Sequence, residues 1–317
     1  MRSEVRALPE LFLDRLKRIV PLRKWDDIAN MFTGDRPTTF RVNTVKTPAG
    51  AVREALEHLG FRLRPVSWYP EAFILMDGRL RDLQETQIYQ SGSIYVQSLS
   101  SMIPPLVLNP QPGEHVLDLT AAPGSKTTQM VSLMRGEGEI VAVERNRIRY
   151  EKLKANLNLQ GAVMVKPMLS YGESIGKRYP AAFDRVLVDA PCSTEGRFNV
   201  REPASYRYWA MRKIHEMAWL QKKLLSSAVL ALRTGGVMVY STCTFAPEEN
   251  EAVVSDILSR FDNALELENI ESPVPNQMRG LRSWEKTVSH PSIGNALRIL
   301  PTSEMEAFFI ARFRKLA

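Results

Sequence analysis

The chain has two cysteines, and both sit where a thiol could act as a nucleophile. Cys192 lies in Asp189-Ala190-Pro191-Cys192-Ser193, directly after the apolar run bounded by Arg185 and Asp189. That run reads as a strand buried on both faces. Asp189 then stands at its carboxyl end, where open α/β sheets hold their ligands. Pro191 stiffens the turn, so Cys192 is held in a fixed direction. Cys243 follows Val239-Tyr240-Ser241-Thr242, again at the end of a strand, and Pro247-Glu248-Glu249-Asn250-Glu251 favours a helix start just beyond it. A cysteine taken alone is as readily a small buried hydrophobe. Two that leave the ends of strands expected to be neighbours, without the spacing of a metal site, point to covalent catalysis. The thiolate is the reactive form, so such cysteines need a cationic or helix-N-terminal setting.

A second constellation, Asp118-Leu119-Thr120-Ala121-Ala122-Pro123-Gly124-Ser125-Lys126-Thr127, joins a strand to a helix. It lacks the G-x-G-x-x-G of a dinucleotide site and the Gly four residues before Gly-Lys that a P-loop needs. Ala121, Ala122 and Gly124 are small enough to let a ligand approach the backbone. Glu144 ends the next strand, 20 residues after Gly124, a place and spacing suited to two ribose hydroxyls. A tight turn, an acid for ribose and an apolar wall for a base are what a nucleoside cofactor without a pyrophosphate requires. S-adenosylmethionine fits them better than NAD. The candidate cofactor-binding residues are Ala121, Ala122, Pro123, Gly124, Ser125, Lys126, Glu144, Arg149 and Asp189. The bland alternative is a plain strand–turn–helix, and Lys126 by itself is ambiguous between a helix-surface lysine and a site residue.

The elements that must position these residues alternate regularly. Strands are predicted at 115–119, 139–144, 163–166, 185–189 and 236–240, with helices at 125–134, 147–159, 211–232 and 247–260. This pattern predicts a parallel, doubly wound α/β sheet. Residues 307–313 read as a last strand, expected to pair antiparallel at or near an edge, because the Pro-rich stretch 272–301 leaves no crossover helix. Ahead of the sheet lie an amphipathic basic helix over 9–20 and a small α/β unit with strands at 39–44, 61–65 and 72–76 and a helix at 49–59. A connecting helix at 98–108 follows. The expected division is 1–35, a helical segment; 36–108, a small RNA-binding α/β domain; and 109–317, a catalytic domain.

A net charge of +7 favours an anionic partner such as nucleic acid, weakly. Two cysteines and four histidines supply no disulfide framework and no metal site. Free thiols fit a reducing, cytoplasmic setting. No stretch approaches membrane-span length and the N-terminus lacks a signal peptide.

Together, Ala121-Ala122-Pro123-Gly124-Ser125-Lys126-Thr127, Asp189-Ala190-Pro191-Cys192-Ser193 and Ser241-Thr242-Cys243 with Pro247-Glu248-Glu249-Asn250-Glu251 resemble the Sun/Fmu-like RNA (cytosine-5)-methyltransferases. Phe40-Arg41-Val42-Asn43-Thr44, and Val96-Gln97 with Ser100-Ser101-Met102, look like that family's upstream motifs. The resemblance runs from about Thr39 to the C-terminus, and the ordered set is more specific than any one motif. It implies a Rossmann-like fold and methyl transfer from S-adenosylmethionine to carbon 5 of a cytosine in rRNA or tRNA. A thiolate adds to carbon 6, which makes carbon 5 enamine-like. By the resemblance the attacking thiol is Cys243, Cys192 assists product release, Asp189 orients the pyrimidine and Lys126 lies close by. Cytosine methyltransferases acting on DNA use the Pro-Cys thiol instead, which keeps Cys192 open as the nucleophile.

The target cytosine must be unpaired or flipped. Backbone contacts are expected from Arg36, Arg41, Arg53, Arg62, Arg64 and Arg79, and from Arg197-Phe198-Asn199-Val200-Arg201 beside the active site. Two departures from the family pattern stand out. No acid follows the third strand in Val165-Lys166-Pro167-Met168-Leu169-Ser170, and Ser193-Thr194-Glu195-Gly196 replaces the commoner Ser-Gly-x-Gly, which predicts a stiffer loop. With no room for an appended domain after Lys315, substrate selection is expected in the first hundred residues of a monomer. The competing readings are a catalytically silent RNA-binding or assembly factor and methylation of a protein or small-molecule acceptor.

Overall fold

The computed structural model describes residues 3–317. By compactness the chain divides into two units that are not consecutive segments. One comprises Pro37–Asp189 with Ser227–Val239, and the other the residues up to Arg36, Ala190–Ser226 and Tyr240–Ala317.

The first unit holds two sheets. The smaller is antiparallel, made of β1 (Thr39–Val42), β2 (Leu63–Val66), β3 (Tyr69–Leu75) and β4 (Ile94–Val96) in the order β2-β3-β1-β4. The helix Ala49–His58 places Val52 and Leu56 in one apolar cluster with Phe40, Val42, Phe73 and Ile94. Its apolar positions recur at helical spacing, so one face is buried and the other solvated. All of β1 is buried, unlike the half-solvated strand that alternation suggests. The larger sheet contains β5 (His115–Asp118), β6 (Glu139–Glu144), β7 (Val165–Leu169), β8 (Phe183–Asp189) and the start of β9 (Leu232–Thr242), ordered β9-β8-β5-β6-β7. β5 runs parallel to β6 and β8, and β6 parallel to β7. The helices Ser125–Leu133 and Arg147–Gln160 supply the crossovers, as the alternation predicts. The strand order reverses at β5, so the switch point lies between β5 and β8. That is where such sheets bind ligands.

The second unit packs helices against short antiparallel strands. Its core joins Phe12, Leu16 and Ile19 of the helix Glu10–Ile19 to Phe32, Phe198, Phe245 and Ala307. Phe12 meets Phe32 and Phe198 with ring centroids 5.6 Å and 4.9 Å apart, and burying one such ring contributes roughly 1.5–3 kcal/mol. The strands are β10 (Leu265–Glu268), β11 (Gln277–Arg279), β12 (Ser283–Trp284), β13 (Thr287–Val288), β14 (Leu297–Ile299) and β15 (Phe308–Lys315). β15 is antiparallel, as expected, but it is not an edge. β10 and β14 both pair with it, and β11 lies beyond β14. The Pro-rich stretch supplies these strands in pieces of two or three residues, too short to show a period of two. The helix predicted from Pro247 begins at Glu251. Asn250 is held outside it, with its amide donating to the Thr244 carbonyl and its carbonyl accepting from the Thr242 hydroxyl. Among the described residues no helix is long and apolar enough to cross a membrane.

Candidate active site

The site residues fall into two groups, one in each unit. In the first unit, the turn after β5 is closed by the Gly124 N–H donating to the Ala121 carbonyl at 2.7 Å, and it is tied to β6 by Ala121 N–H to Val143 O at 2.9 Å. Gly124 has φ +106°, a left-handed conformation that side chains rarely adopt, and an added Cβ would press on Leu153 at 3.1 Å. Beneath the turn, buried Asp118 accepts from the Thr127 hydroxyl at 2.7 Å. Burial drives its carboxyl up to about 6, with Asp189 adding to the rise.

Lys126 is not a helix-surface lysine. It is buried, and its ammonium donates to Asp189 Oδ2 and Ser101 Oγ, each at 2.7 Å. The Thr120 hydroxyl donates to the Asp189 carbonyl at 2.9 Å, which brackets the switch point from both strands. At the end of β6, Glu144 is buried and accepts the Asn146 N–H through Oε1 at 2.8 Å. Arg149 lies 3.6 Å from Oε2 and donates to the Ala122 carbonyl at 2.5 Å, so it joins the acid to the turn. Each carboxylate oxygen has two lone pairs, so Glu144 keeps acceptor capacity beside the turn. A buried acid, a tight small-residue turn and the apolar ends of β5 and β6 fit S-adenosylmethionine.

Arg41 is not an RNA contact. It is fully buried, and its guanidinium donates to Gln97 Oε1 (2.9 Å), the Ser125 carbonyl (2.8 Å) and the Thr128 hydroxyl (2.6 Å). Desolvation lowers its pKa to about 10. It braces the first turn of the helix that carries Lys126. Arg53, Arg62 and Arg79 are on the surface, paired with Glu57, Asp77 and Asp82.

In the second unit, Cys192 Sγ and Cys243 Sγ lie 3.4 Å apart, with Cys192 half-buried and Cys243 buried. The thiol loops run side by side through Ala190 N–H to Ser241 O and Gly196 N–H to Cys243 O, both 2.9 Å. Two buried acids cross-link them. Glu249 accepts from the Ser193 N–H at 3.0 Å and from Gln221 Nε2 at 2.8 Å, and that amide also donates to the Pro191 carbonyl at 2.8 Å. Glu195 accepts from the Thr244 hydroxyl (2.8 Å), the Phe245 N–H (3.0 Å) and Trp209 Nε1 (2.8 Å). Thr244 thereby spends its one proton, so in its 2.7 Å bond with Ser193 the serine is the donor. Burial raises both carboxyls, that of Glu249 to about 8. The Cys192 thiol is pushed well up, first by its hydrogen bond to Cys243 and then by burial. Thr194, where the family commonly has Gly, adopts φ +58°. That is a strained left-handed conformation for a β-branched residue, held in place by the bonds around Glu195.

The sequence pattern gives Glu195 and Gln221 no role in the site, and Ser101 and Glu249 appear in it only as members of the family motifs. A glutamate directly beside each thiol motif, in Ser193-Thr194-Glu195 and Pro247-Glu248-Glu249, was the available signal. Phe198 was expected to meet RNA; it is instead in the core against Phe12. Its neighbours Arg197 and Arg201 are on the surface, 3.3 Å and 3.2 Å from Glu306 and Asp35.

Residues 105–314 match the family described as 16S rRNA methyltransferase RsmB/F, and residues 8–99 match the N-terminal domain of 16S rRNA methyltransferase RsmF. The tRNA (cytosine(49)-C(5))-methyltransferase of Pyrococcus abyssi is 38% identical over 288 residues, covering 88% of each chain. Ribosomal RNA small subunit methyltransferase F of Vibrio campbellii is 38% identical over 315 residues, covering 98% of this chain. The chain spans 63% of that relative's length. A solved structure of a methyltransferase homolog from Pyrococcus horikoshii superposes with a TM-score of 0.80 at 33% identity, over 98% of this chain and all of that one. These matches agree with the motifs: the chain belongs to the RsmB/F family of S-adenosylmethionine-dependent RNA (cytosine-5)-methyltransferases.

Proposed function

We propose that Cys243 is the nucleophile of this methyltransferase and that Cys192 serves release of the product from the enzyme, on a cytosine of rRNA or tRNA. The thiol pair carries this assignment. At 3.4 Å the two sulfurs are close enough to share one proton, so one thiol can ionise while the other stays protonated. With Cys192 as the donor, Cys243 is the sulfur stabilised as a thiolate, which is the arrangement this reading requires.

The Cys243 thiolate adds to carbon 6, and the electron pair of the 5,6 double bond moves onto carbon 5. S-adenosylmethionine supplies the methyl group that carbon 5 takes up. Water takes the carbon 5 proton, the C–H electron pair re-forms the 5,6 double bond, and Cys243 leaves as thiolate, which restores the aromatic ring. Asp189 orients the pyrimidine edge, and Lys126 fixes that carboxylate. Glu144 holds the ribose hydroxyls of the cofactor, while Ala121 to Gly124 offer it their backbone. The cytosine enters unpaired or flipped, because carbon 6 is shielded within a stack. Residues 36–108 serve as the RNA-binding part of a monomeric, cytoplasmic enzyme.

The test is trapping on a methyl-accepting RNA. Cys243→Ala abolishes methyl transfer, and Cys192→Ala accumulates a protein–RNA adduct that survives denaturation. An adduct from Cys243→Ala and none from Cys192→Ala would reverse the two roles.

A further inference from the structure

The helix Met211–Ala231 turns Ile214, Ala218, Gln221 and Leu225 inward. On its opposite side Arg212, Glu216, Trp219 and Lys223 follow one another at spacings of four, three and four residues, a single stripe along the axis. Trp219 is 61% exposed, and the Lys223 ammonium sits 3.4 Å from its ring centroid. Just before the helix, Tyr208 is 76% exposed, with the Arg207 guanidinium carbon 4.6 Å from its ring centroid.

Other surface helices of the chain put an acid four residues from a cation, as in Arg53–Glu57, Arg81–Glu85 and Arg147–Glu151. This one repeats that pairing once, in Arg212–Glu216 at 2.9 Å, and then sets Trp219 four residues before Lys223. Arg207, Arg212, Lys213 and Lys223 are all exposed, and of these Arg212 is paired with Glu216. A solvated helix face needs no indole and gains nothing from uncompensated cations. Flat exposed rings flanked by positive charge match the chemistry of unpaired nucleotides, whose bases stack and whose phosphates are anionic.

We propose that this stripe, with Arg207 and Tyr208 just before the helix and Lys213 beside Arg212, is a landing surface for single-stranded RNA, with bases stacking on Trp219 and Tyr208 and phosphates meeting Arg207, Arg212, Lys213 and Lys223. The proposal rests on the reading of the protein as an RNA methyltransferase and names a surface its substrate touches. Arg212 and Trp219 are separated by about 10 Å along the helix axis, enough for more than one nucleotide.

The probe is a fluorescein-labelled 12-nucleotide RNA of cytidine and uridine, followed by anisotropy. Trp219→Ala weakens binding about tenfold and Trp219→Phe restores most of it. Lys223→Ala lowers the slope of log affinity against log salt by about 0.7. Unchanged affinity in both Trp219→Ala and Tyr208→Ala, with an unchanged salt slope in Lys223→Ala, would overturn the proposal and return the stripe to solvent or a protein partner. Methyl transfer to 16S rRNA and tRNA transcripts, measured alongside, separates the two ideas. A wild type that methylates, with KM unchanged in Trp219→Ala, overturns the surface alone. A wild type that transfers no methyl group to any RNA removes the underlying reading and the surface with it.

Discussion

The two groups of site residues treat ionisable side chains in opposite ways. Around the turn after β5, buried Asp118 apart, charge is kept and neutralised. Lys126 and Asp189 form an ion pair at 2.7 Å, and buried Arg41 is surrounded by three oxygen acceptors. Around the thiols, Glu195, Glu249 and Cys192 are all pushed toward their neutral forms. The difference follows from what is placed beside each group. A cation or several acceptors stabilise a buried charge, whereas the N–H and O–H donors around the thiols do not outweigh desolvation. Paired charge fixes a carboxylate in place; acids pushed toward neutrality leave less negative charge around the thiols.

Breaking the ion pair should have the largest effect. Lys126→Met leaves Asp189 without its buried cation, and methyl transfer should fall about a hundredfold or more as the carboxylate loses its position. Steady-state rates would show it, with S-adenosylmethionine affinity reduced far less because Glu144 and the turn are intact. Activity within severalfold of wild type would remove Lys126 from the positioning role.

Arg41→Met attacks the same region from below. The Ser125 carbonyl, the Thr128 hydroxyl and Gln97 each lose a donor or partner, and the cost should be about 2–3 kcal/mol in urea unfolding. A change below about half a kcal/mol would mean that these groups find other partners.

The smallest effect sharpens the other side of the comparison. The folded-state pKa of Glu249 is raised from 4.5 to about 8, so its contribution to stability is full below about pH 4.5 and is lost as pH rises through 8. Glu249→Gln keeps an acceptor for the Ser193 N–H without that liability. Its melting temperature should gain on the wild type as pH rises from 5 to 8.5, by on the order of a few degrees. Parallel pH profiles for the two proteins would show that Glu249 is not held neutral.

The large sheet was legible because each of its strands is a local apolar run bounded by turn signals, and both cysteines sit at strand ends that periodicity can find. The candidacy of Cys192, Cys243, Asp189 and Glu144 follows from that placement, whereas Lys126 stood out only through the family resemblance. The acids that hold the thiol loops were not legible, because their partners are remote. Glu195 bonds Thr244 across 49 residues and Glu249 bonds Ser193 across 56, and no local pattern encodes such pairs. Phe198 misled for a related reason: an aromatic between two arginines has the composition of an RNA contact, while its ring completes a core begun by Phe12. Thr194 confirms the departure from the family's loop pattern and gives it a physical form, a left-handed threonine fixed by neighbours on both sides.

Arg41 has a practical meaning for anyone mapping an RNA footprint by mutagenesis. A scan that removes arginines one at a time would score it as a strong hit, because the helix start that carries Lys126 rests on its guanidinium. The lost signal would report a collapsed foundation rather than a missing handhold. Thermal stability must therefore be read beside every binding curve from this part of the chain before an arginine is drawn touching RNA.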